Sequence, residues 1–259
     1  MTVMKYKYYL KSDIGTTRCQ NQDSAFAMIA CTSIGRFFFG AVCDGMGGTA
    51  DGGFASKYVT SALISWFDSR IKDIAVSEKL GDNLFGEWNA VISRCNSELY
   101  QMSIERNAGM GTTASLLLIA DCKYYTAHLG DSRIYHYSGG VMRQITHDHS
   151  YVMELMQKGM LTESEALASS ERNVLTKCIG CAADTTADMD CGSVLLGDIF
   201  LLSSDGFHGG LDVSDMTRVM RCTDDLKKYH AKKVILSAIE ERKQRGETDN
   251  ITALIVQAF

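Results

Sequence analysis

Apolar residues in this chain come mostly in short runs of strand length, and after the third run two long stretches switch to a helical period. That alternation restricts the fold more than any other feature. Residues 4–10, 25–31 and 37–43 read as strands, the last two joined as a hairpin through Thr32-Ser33-Ile34-Gly35-Arg36. Phe54, Tyr58, Ala62 and Trp66 then recur every four residues, with Val59, Leu63 and Phe67 alongside. Leu84, Trp88, Val91, Ile92, Cys95, Leu99 and Met102 make a second stripe. Both patterns predict amphipathic helices with one buried face. From residue 111 the strand period returns, and 112–120, 124–129, 133–137 and 141–145 predict an antiparallel meander. Helical pattern resumes over 148–170, where Thr162 and Glu165 form a capping box. Strands at 186–191 and 199–204, helices over 213–220 and 224–243, and a strand at 251–256 complete the pattern. The expected fold class is α+β, a two-sheet antiparallel β-sandwich covered by helices.

The 259 residues contain no proline, low-complexity segment or internal repeat, so one continuous domain over 1–259 is expected. A net charge of −5 leaves no basic footprint and argues against nucleic acid as a partner. No apolar run approaches the ~18 residues of a membrane span. Met1 to Leu10 mixes lysine and tyrosine without a signal-peptide pattern, so the expected compartment is the cytoplasm. Nine cysteines, scattered and odd in number, fit reduced thiols there. Cys178-Ile179-Gly180-Cys181 has redox spacing, but neither a second pair nor a thioredoxin-like βαβ context accompanies it. These two cysteines are therefore expected to be incidental thiols.

Chemistry concentrates in aspartates at strand edges. Asp44 ends the apolar run 37–43 and opens an expected loop, Asp44-Gly45-Met46-Gly47-Gly48, where backbone carbonyls are unshielded. Asp205 follows Phe200-Leu201-Leu202-Ser203-Ser204, and Asp249 immediately precedes the last strand. Asp131 lies in the tight link Gly130-Asp131-Ser132-Arg133, and Asp23 precedes the second strand. Five carboxylates meeting at one end of a sandwich would repel one another strongly unless divalent cations neutralised them. An all-oxygen donor set points to Mg²⁺ or Mn²⁺. Two such ions can hold a bridging water, lower its pKa and aim it at a phosphorus, while the planar fork of Arg18 grips phosphate oxygens.

The motifs resemble those of the metal-dependent type 2C serine/threonine phosphatases, in particular the bacterial single-domain branch. The matching stretches are Gly15-x-x-Arg18-x-x-Asn21-Gln22-Asp23-Ser24, Asp44-Gly45-Met46-Gly47-Gly48, Gly52-x-x-Ala55-Ser56 and Gly111-Thr112-Thr113. They continue with Gly130-Asp131-Ser132-Arg133, Thr146-His147-Asp148-His149-Ser150, Arg172-Asn173-Val174-Leu175-Thr176, Ser204-Asp205-Gly206 and Asp249-Asn250-Ile251-Thr252. They keep the family's order and span nearly the whole chain. The resemblance implies a four-layer α-β-β-α sandwich with helices on both faces and a helical flap at about 146–180. It implies two to three Mn²⁺ or Mg²⁺ ions held by Asp44, the Gly45 carbonyl, Asp131, Asp205 and Asp249. Arg18 would bind the substrate phosphate, and Asp23, beside Gln22, would orient water behind the ligands. The catalytic set would be Arg18, Asp44, Asp205 and Asp249, with a metal-bridging hydroxide attacking phosphorus in line.

Three departures from the family pattern stand out. Gln22 replaces the usual Glu, which weakens the affinity expected at the second metal. Thr49 stands where bacterial members have His, and no proline precedes Arg172. His147 and His149 are expected to make loop hydrogen bonds, His128, His136 and His230 to be structural, and His208 could face the metals. The resemblance further implies phosphoproteins as substrates, a serine/threonine protein kinase whose action is reversed, and a monomer. A regulatory module with poor turnover and a small-molecule phosphomonoesterase remain open beside the protein phosphatase.

Overall fold

The computed structural model describes residues 4–32, 35–47, 51–75, 80–120, 122–221 and 228–259. The link residues 33–34, Gly48 and Thr49, Asp121, and the predicted helix start at 224–227 lie outside them. In chain order the first elements are β1 (Tyr6–Asp13), β2 (Ser24–Thr32), β3 (Gly35–Cys43), β4 (Gly45–Gly47), α1 (Asp51–Ala75) and α2 (Leu80–Arg106). Then come β5 (Met110–Thr112), β6 (Ala114–Ala120), β7 (Lys123–Leu129), β8 (Arg133–Ser138) and β9 (Val141–Gln144). The flap carries α3 (Tyr151–Gln157) and α4 (Glu163–Ala168). The chain ends with β10 (Asp188–Ser193), β11 (Ile199–Ser203), α5 (Asp205–His208), α6 (Val213–Arg221), α7 (Lys228–Gln244) and β12 (Ile251–Ala258).

Two antiparallel five-stranded sheets run β1-β12-β11-β8-β9 and β10-β7-β6-β3-β2. Strand period 2 sends alternate side chains to opposite faces, and here both faces are apolar. Along β3, Phe38 and Val42 enter the layer between the sheets with Leu117, Ile119, Phe200, Leu202, Leu254 and Val256. Phe37, Phe39 and Ala41 face the other way, onto Val59, Leu63, Trp66, Phe67 and Trp88 of α1 and α2. On the far side, Tyr135, Ile199, Leu201, Ala253 and Ile255 are covered by Met216, Met220, Ile235 and Ile239 of α6 and α7. The four layers expected from the motifs are therefore present. Burying both faces is why the central strands read as unbroken apolar runs rather than alternating ones.

Four expectations need correction. The buried stripe of α1 runs through Ala55, Val59, Leu63, Trp66, Phe67, Ile71 and Ile74, not through Phe54 and Tyr58. Phe54 is 38% exposed, stacks on Tyr58 and lies under the Arg106 guanidinium at the rim of the helix pair. The predicted meander is broken at Gly130-Asp131-Ser132: β7 stays in one sheet and β8 joins the other. Gly130, at φ +103, makes that crossing, and a side chain there would strike Thr113. The stretch after Asp44 is not all loop, because Gly45–Gly47 pairs with Met110–Thr112 as a small third ladder. Finally, Cys178 and Cys181 are joined as a disulfide with Cα atoms 6.0 Å apart. Gly180, at φ +92, turns the chain tightly enough between them to bring the two together.

The capping box of α4 is formed: the Thr162 N–H donates to Glu165 Oε2 at 2.8 Å, and the Glu165 N–H donates to Thr162 Oγ1 at 3.3 Å. Among the described residues no helix is long and apolar enough to cross a membrane.

Candidate metal centre

Antiparallel pairing sets where the aspartates fall. Cys43 at the end of β3 pairs with Ser24 at the start of β2, so Asp44 and Asp23 leave the same edge. Ser203 at the end of β11 pairs with Ala253 near the start of β12, which brings Asp205 beside the turn containing Asp249. Leu129 pairs with Ala114, and the crossing that follows it delivers Asp131 to the same end of the sandwich. Asp44 and Asp205 lie close enough for each to act on the other's ionisation.

The electrostatics record this convergence. Asp44 is held well above the ordinary carboxylate range, first by burial and then by the charges of Asp23, Asp205, Asp131 and Asp249. Asp131 is pushed up to about 8 by burial, then by Asp205 and Asp148. Asp205 is raised by burial and by Asp249. Asp23 rises to about 7, chiefly by burial. Its Oδ2 accepts hydrogen bonds from Ser204 Oγ at 2.9 Å and Thr252 Oγ1 at 2.6 Å, which oppose the rise. Asp23 Oδ1 and Asp205 Oδ1 are buried and have no donor. Buried carboxylate oxygens without donors, among mutually repelling neighbours, form a donor set suited to a hard divalent cation. Among the described residues no three acidic, histidine or cysteine side chains already close on one point at ligand distance. One reason is visible: Asp249 is turned onto Arg18, Nε to Oδ1 at 2.9 Å.

A second set of residues fixes the backbone beneath the acids. The Asp44 N–H donates to Thr113 Oγ1 at 2.9 Å, and Thr113 Oγ1 bonds Ser132 Oγ at 2.7 Å, linking the Asp44 and Asp131 segments. The Asp44 carbonyl accepts from the Thr113 N–H and from Thr112 Oγ1, both at 2.9 Å. The Gln22 N–H donates to Asn250 Oδ1 at 2.8 Å, and the Gln22 carbonyl accepts from Ser56 Oγ at 2.5 Å. Gly45 and Gly52 pack backbone on backbone beside Gln22, where a Cβ on either would collide. Thr112, Thr113, Ser132, Ser204, Asn250 and Thr252 received no role from the sequence. Their signal was their place inside the matched motifs, each next to or near one of the aspartates or glycines of the site.

His128, His136, His149 and His208 behave as structural groups. His149 takes the Gly130 N–H on Nδ1 at 3.1 Å and meets Asp188 Oδ2 through Nε2 at 3.0 Å. His128 stacks on it, ring centres 5.0 Å apart, and burial pushes His128 down to about 3. The His147 carbonyl contacts His128 Nε2 at 3.1 Å. His136 pairs with Asp198. His208 is turned to Ser203 Oγ at 3.1 Å, and the charges that act on it are Arg133 and Arg242 rather than the aspartates.

The sequence profile of the family described as protein phosphatase 2C matches residues 16–238. The chain belongs to the protein phosphatase 2C family. Protein phosphatase PhpP from Streptococcus pneumoniae serotype 2 is 33% identical over 252 residues, covering 95% of each chain. The crystal structure of the PstP catalytic domain in complex with two manganese ions superposes with a TM-score of 0.80 at 26% identity, covering 99% of each chain. Stp1 from Staphylococcus aureus, a serine/threonine phosphatase, gives 0.81 at 27% identity, covering 99% of this chain and 95% of its own. The protein phosphatase expected from the ordered motifs is thus borne out, as is the layered α+β sandwich shared with these protein phosphatase 2C relatives.

Proposed function

We propose that this end of the sandwich hydrolyses phosphoserine and phosphothreonine esters of proteins, using two to three Mn²⁺ or Mg²⁺ ions. One observation carries the reading: five carboxylates from five separate strand ends meet at one edge, two of them with buried oxygens that no donor satisfies. Asp44 and the Gly45 carbonyl, with Asp205, Asp249 and Asp131, would hold the ions. Bound there, the cations supply positive charge for the phosphate and make a water molecule nucleophilic near neutral pH.

The chain's own groups do the rest. Arg18 exchanges Asp249 for two oxygens of the phosphate, using its planar fork to fix the phosphorus for in-line attack. Asp23, with Oδ2 pinned by Ser204 and Thr252, directs Oδ1 so as to orient the attacking water. Gln22 braces the Gly45 segment from behind. No cysteine takes part. The flap carrying α3 and α4 borders the cleft and biases which phosphoproteins enter. We place the chain in the cytoplasm as one monomeric domain over 1–259, reversing the action of a serine/threonine protein kinase.

The test is hydrolysis of a phosphothreonine peptide in Mn²⁺. Asp44→Ala and Asp205→Ala are each expected to abolish it, and full activity in both would overturn the site. Comparing the phosphopeptide with sugar phosphates separates a protein phosphatase from a small-molecule phosphomonoesterase.

A further inference from the structure

Cys178 and Cys181 sit where the flap returns to the sandwich, one short bonded path from Asp44. Ile179, between them, bridges to Thr112: the Ile179 N–H donates to the Thr112 carbonyl and the Thr112 N–H to the Ile179 carbonyl, each at 2.9 Å. Thr112 donates its hydroxyl to the Asp44 carbonyl and pairs in register with Gly45. Both sulfurs rest on Gly111 of the same ladder. A Cβ there would overlap Cys181 Sγ and stand 3.6 Å from Cys178 Sγ.

The loop keeps its shape by means other than the S–S bond. Gly180 holds a positive φ that other residues rarely adopt, and a Cβ there would lie 3.0 Å from Leu99 and from the Met110 carbonyl. The Gly180 N–H donates to Asn96 Oδ1 at 2.8 Å, and Asn96 Nδ2 donates to the Ala182 and Ala183 carbonyls at 3.0 and 3.1 Å. Asn96 belongs to α2 and is buried. The two cysteines therefore stay adjacent in either oxidation state, so the bond can open and re-form in place. Cys181 is exposed and Cys178 is buried, which gives an incoming thiolate one sulfur to reach.

We propose that Cys178 and Cys181 form a reversible dithiol–disulfide site that exchanges with small or protein dithiols, and that its oxidised form braces the metal-binding loop. The exchange is balanced. A dithiol thiolate attacks Cys181 Sγ, the Cys178–Cys181 bond breaks, and a mixed disulfide forms. The second thiol of the reductant then closes its own disulfide and releases Cys181. Two electrons and two protons pass from the dithiol to the two cysteines. Coupling to the metal loop follows from space. Two thiols need more room than a bonded pair of sulfurs, and both press on Gly111, which has no side chain to yield. Reduction therefore displaces backbone in β5, loosening Thr112 from Asp44 and from Gly45. The coupling rests on Asp44 and Gly45 being cation ligands, as proposed above.

The experiment equilibrates the full chain in mixtures of oxidised and reduced dithiothreitol. It counts alkylatable thiols at Cys178 and Cys181 by mass, and measures Mn²⁺ affinity calorimetrically in both states. A single two-thiol step is expected, with Mn²⁺ held several-fold more weakly by the reduced chain. Cys178→Ser/Cys181→Ser, whose smaller hydroxyls can sit in hydrogen-bond contact, is expected to bind Mn²⁺ with one affinity at every mixture. Wild type compared in its two states carries the test even if that variant fails to fold. Thiols at 178 and 181 that never pair, or equal Mn²⁺ affinity in the two states, would overturn the proposal. Unchanged Mn²⁺ affinity in Asp44→Ala would overturn the metal assignment and with it the coupling, while the thiol count still decides the redox pair.

Discussion

Arg18 clasps both carboxylate oxygens of Asp249, Nε to Oδ1 at 2.9 Å and Nη2 to Oδ2 at 2.5 Å, although the two lie 231 positions apart. Their side chains are 49% and 32% exposed. A pair this open to water is worth only ~0–1 kcal/mol, so a phosphate can displace it at little cost. Removing a charge-assisted bond to substrate costs about 1.5–3 kcal/mol, or ~10- to 100-fold in kcat/KM. Arg18→Ala is expected to lose that much on a phosphothreonine peptide, mainly through KM, and Arg18→Lys to recover only part because it lacks the planar fork. Steady-state kinetics at saturating Mn²⁺ decide this; an unaltered KM in Arg18→Ala would remove Arg18 from phosphate binding.

Stability should depend jointly on pH and metal. Asp131 and Asp23 are raised to about 8 and about 7 in the folded chain. Unfolded aspartate titrates near ~3.9, so over the window from about 4 to about 8 the folded state binds more protons than the unfolded. The metal-free fold therefore loses stability as pH rises through that window. Bound cations hold the same carboxyls ionised and remove the loss. The rise in Tm on adding Mn²⁺, measured by calorimetry against EDTA, is expected to grow steadily from pH 5 to pH 8. A shift that stays flat with pH would contradict the convergence of acids on a cation.

Gln22 lies beside the Gly45–Gly52 backbone contact, and a Cβ at Gly52 would stand 2.9 Å from its Nε2. Gln22→Glu changes charge with almost no change in shape. It is expected to tighten Mn²⁺ binding several-fold and to lower the Mn²⁺ concentration for half-maximal hydrolysis. Weaker binding in Gln22→Glu would show that the amide is itself needed at this position.

His149 grips Gly130 twice: its own N–H donates to the Gly130 carbonyl at 2.8 Å, and its Nδ1 accepts the Gly130 N–H at 3.1 Å. Because Nδ1 accepts, the ring proton sits on Nε2 and points to Asp188. His149→Ala leaves the Gly130 N–H without its acceptor, at a cost of about 1–3 kcal/mol measured by denaturant unfolding. It also frees the segment bearing Asp131, so activity is expected to require more Mn²⁺. A variant with wild-type stability and metal dependence would show that Gly130 is held by other contacts.

Some features were legible because they depend on neighbours in sequence. The capping box at Thr162 and Glu165 needs only a spacing of three positions, and the strand ends at Asp44 and Asp205 announce themselves by an apolar run stopping at or just before a carboxylate. Others depend on partners far away. Phe54 and Trp66 look alike in a period-four count, and only the packing of α2 decides that Trp66 is buried and Phe54 lies at the rim. The break at Gly130 was invisible because a link within one sheet and a crossing between two sheets use the same turn residues. The disulfide was missed because compartment and spacing argued for free thiols, and the decisive turn at Gly180 is stabilised by Asn96, 84 positions away.

By itself, the sequence determined the layered fold class, through the lengths and periods of its apolar runs, and the identity of the acids, through their places at strand edges. Only the tertiary structure decided that those acids share one edge, which of their oxygens go without donors, and which hydroxyls hold the backbone beneath them. The reason is physical: period and propensity act over a few residues, whereas mutual repulsion, burial and hydrogen-bond satisfaction depend on distances that antiparallel pairing and sheet stacking set across the whole chain.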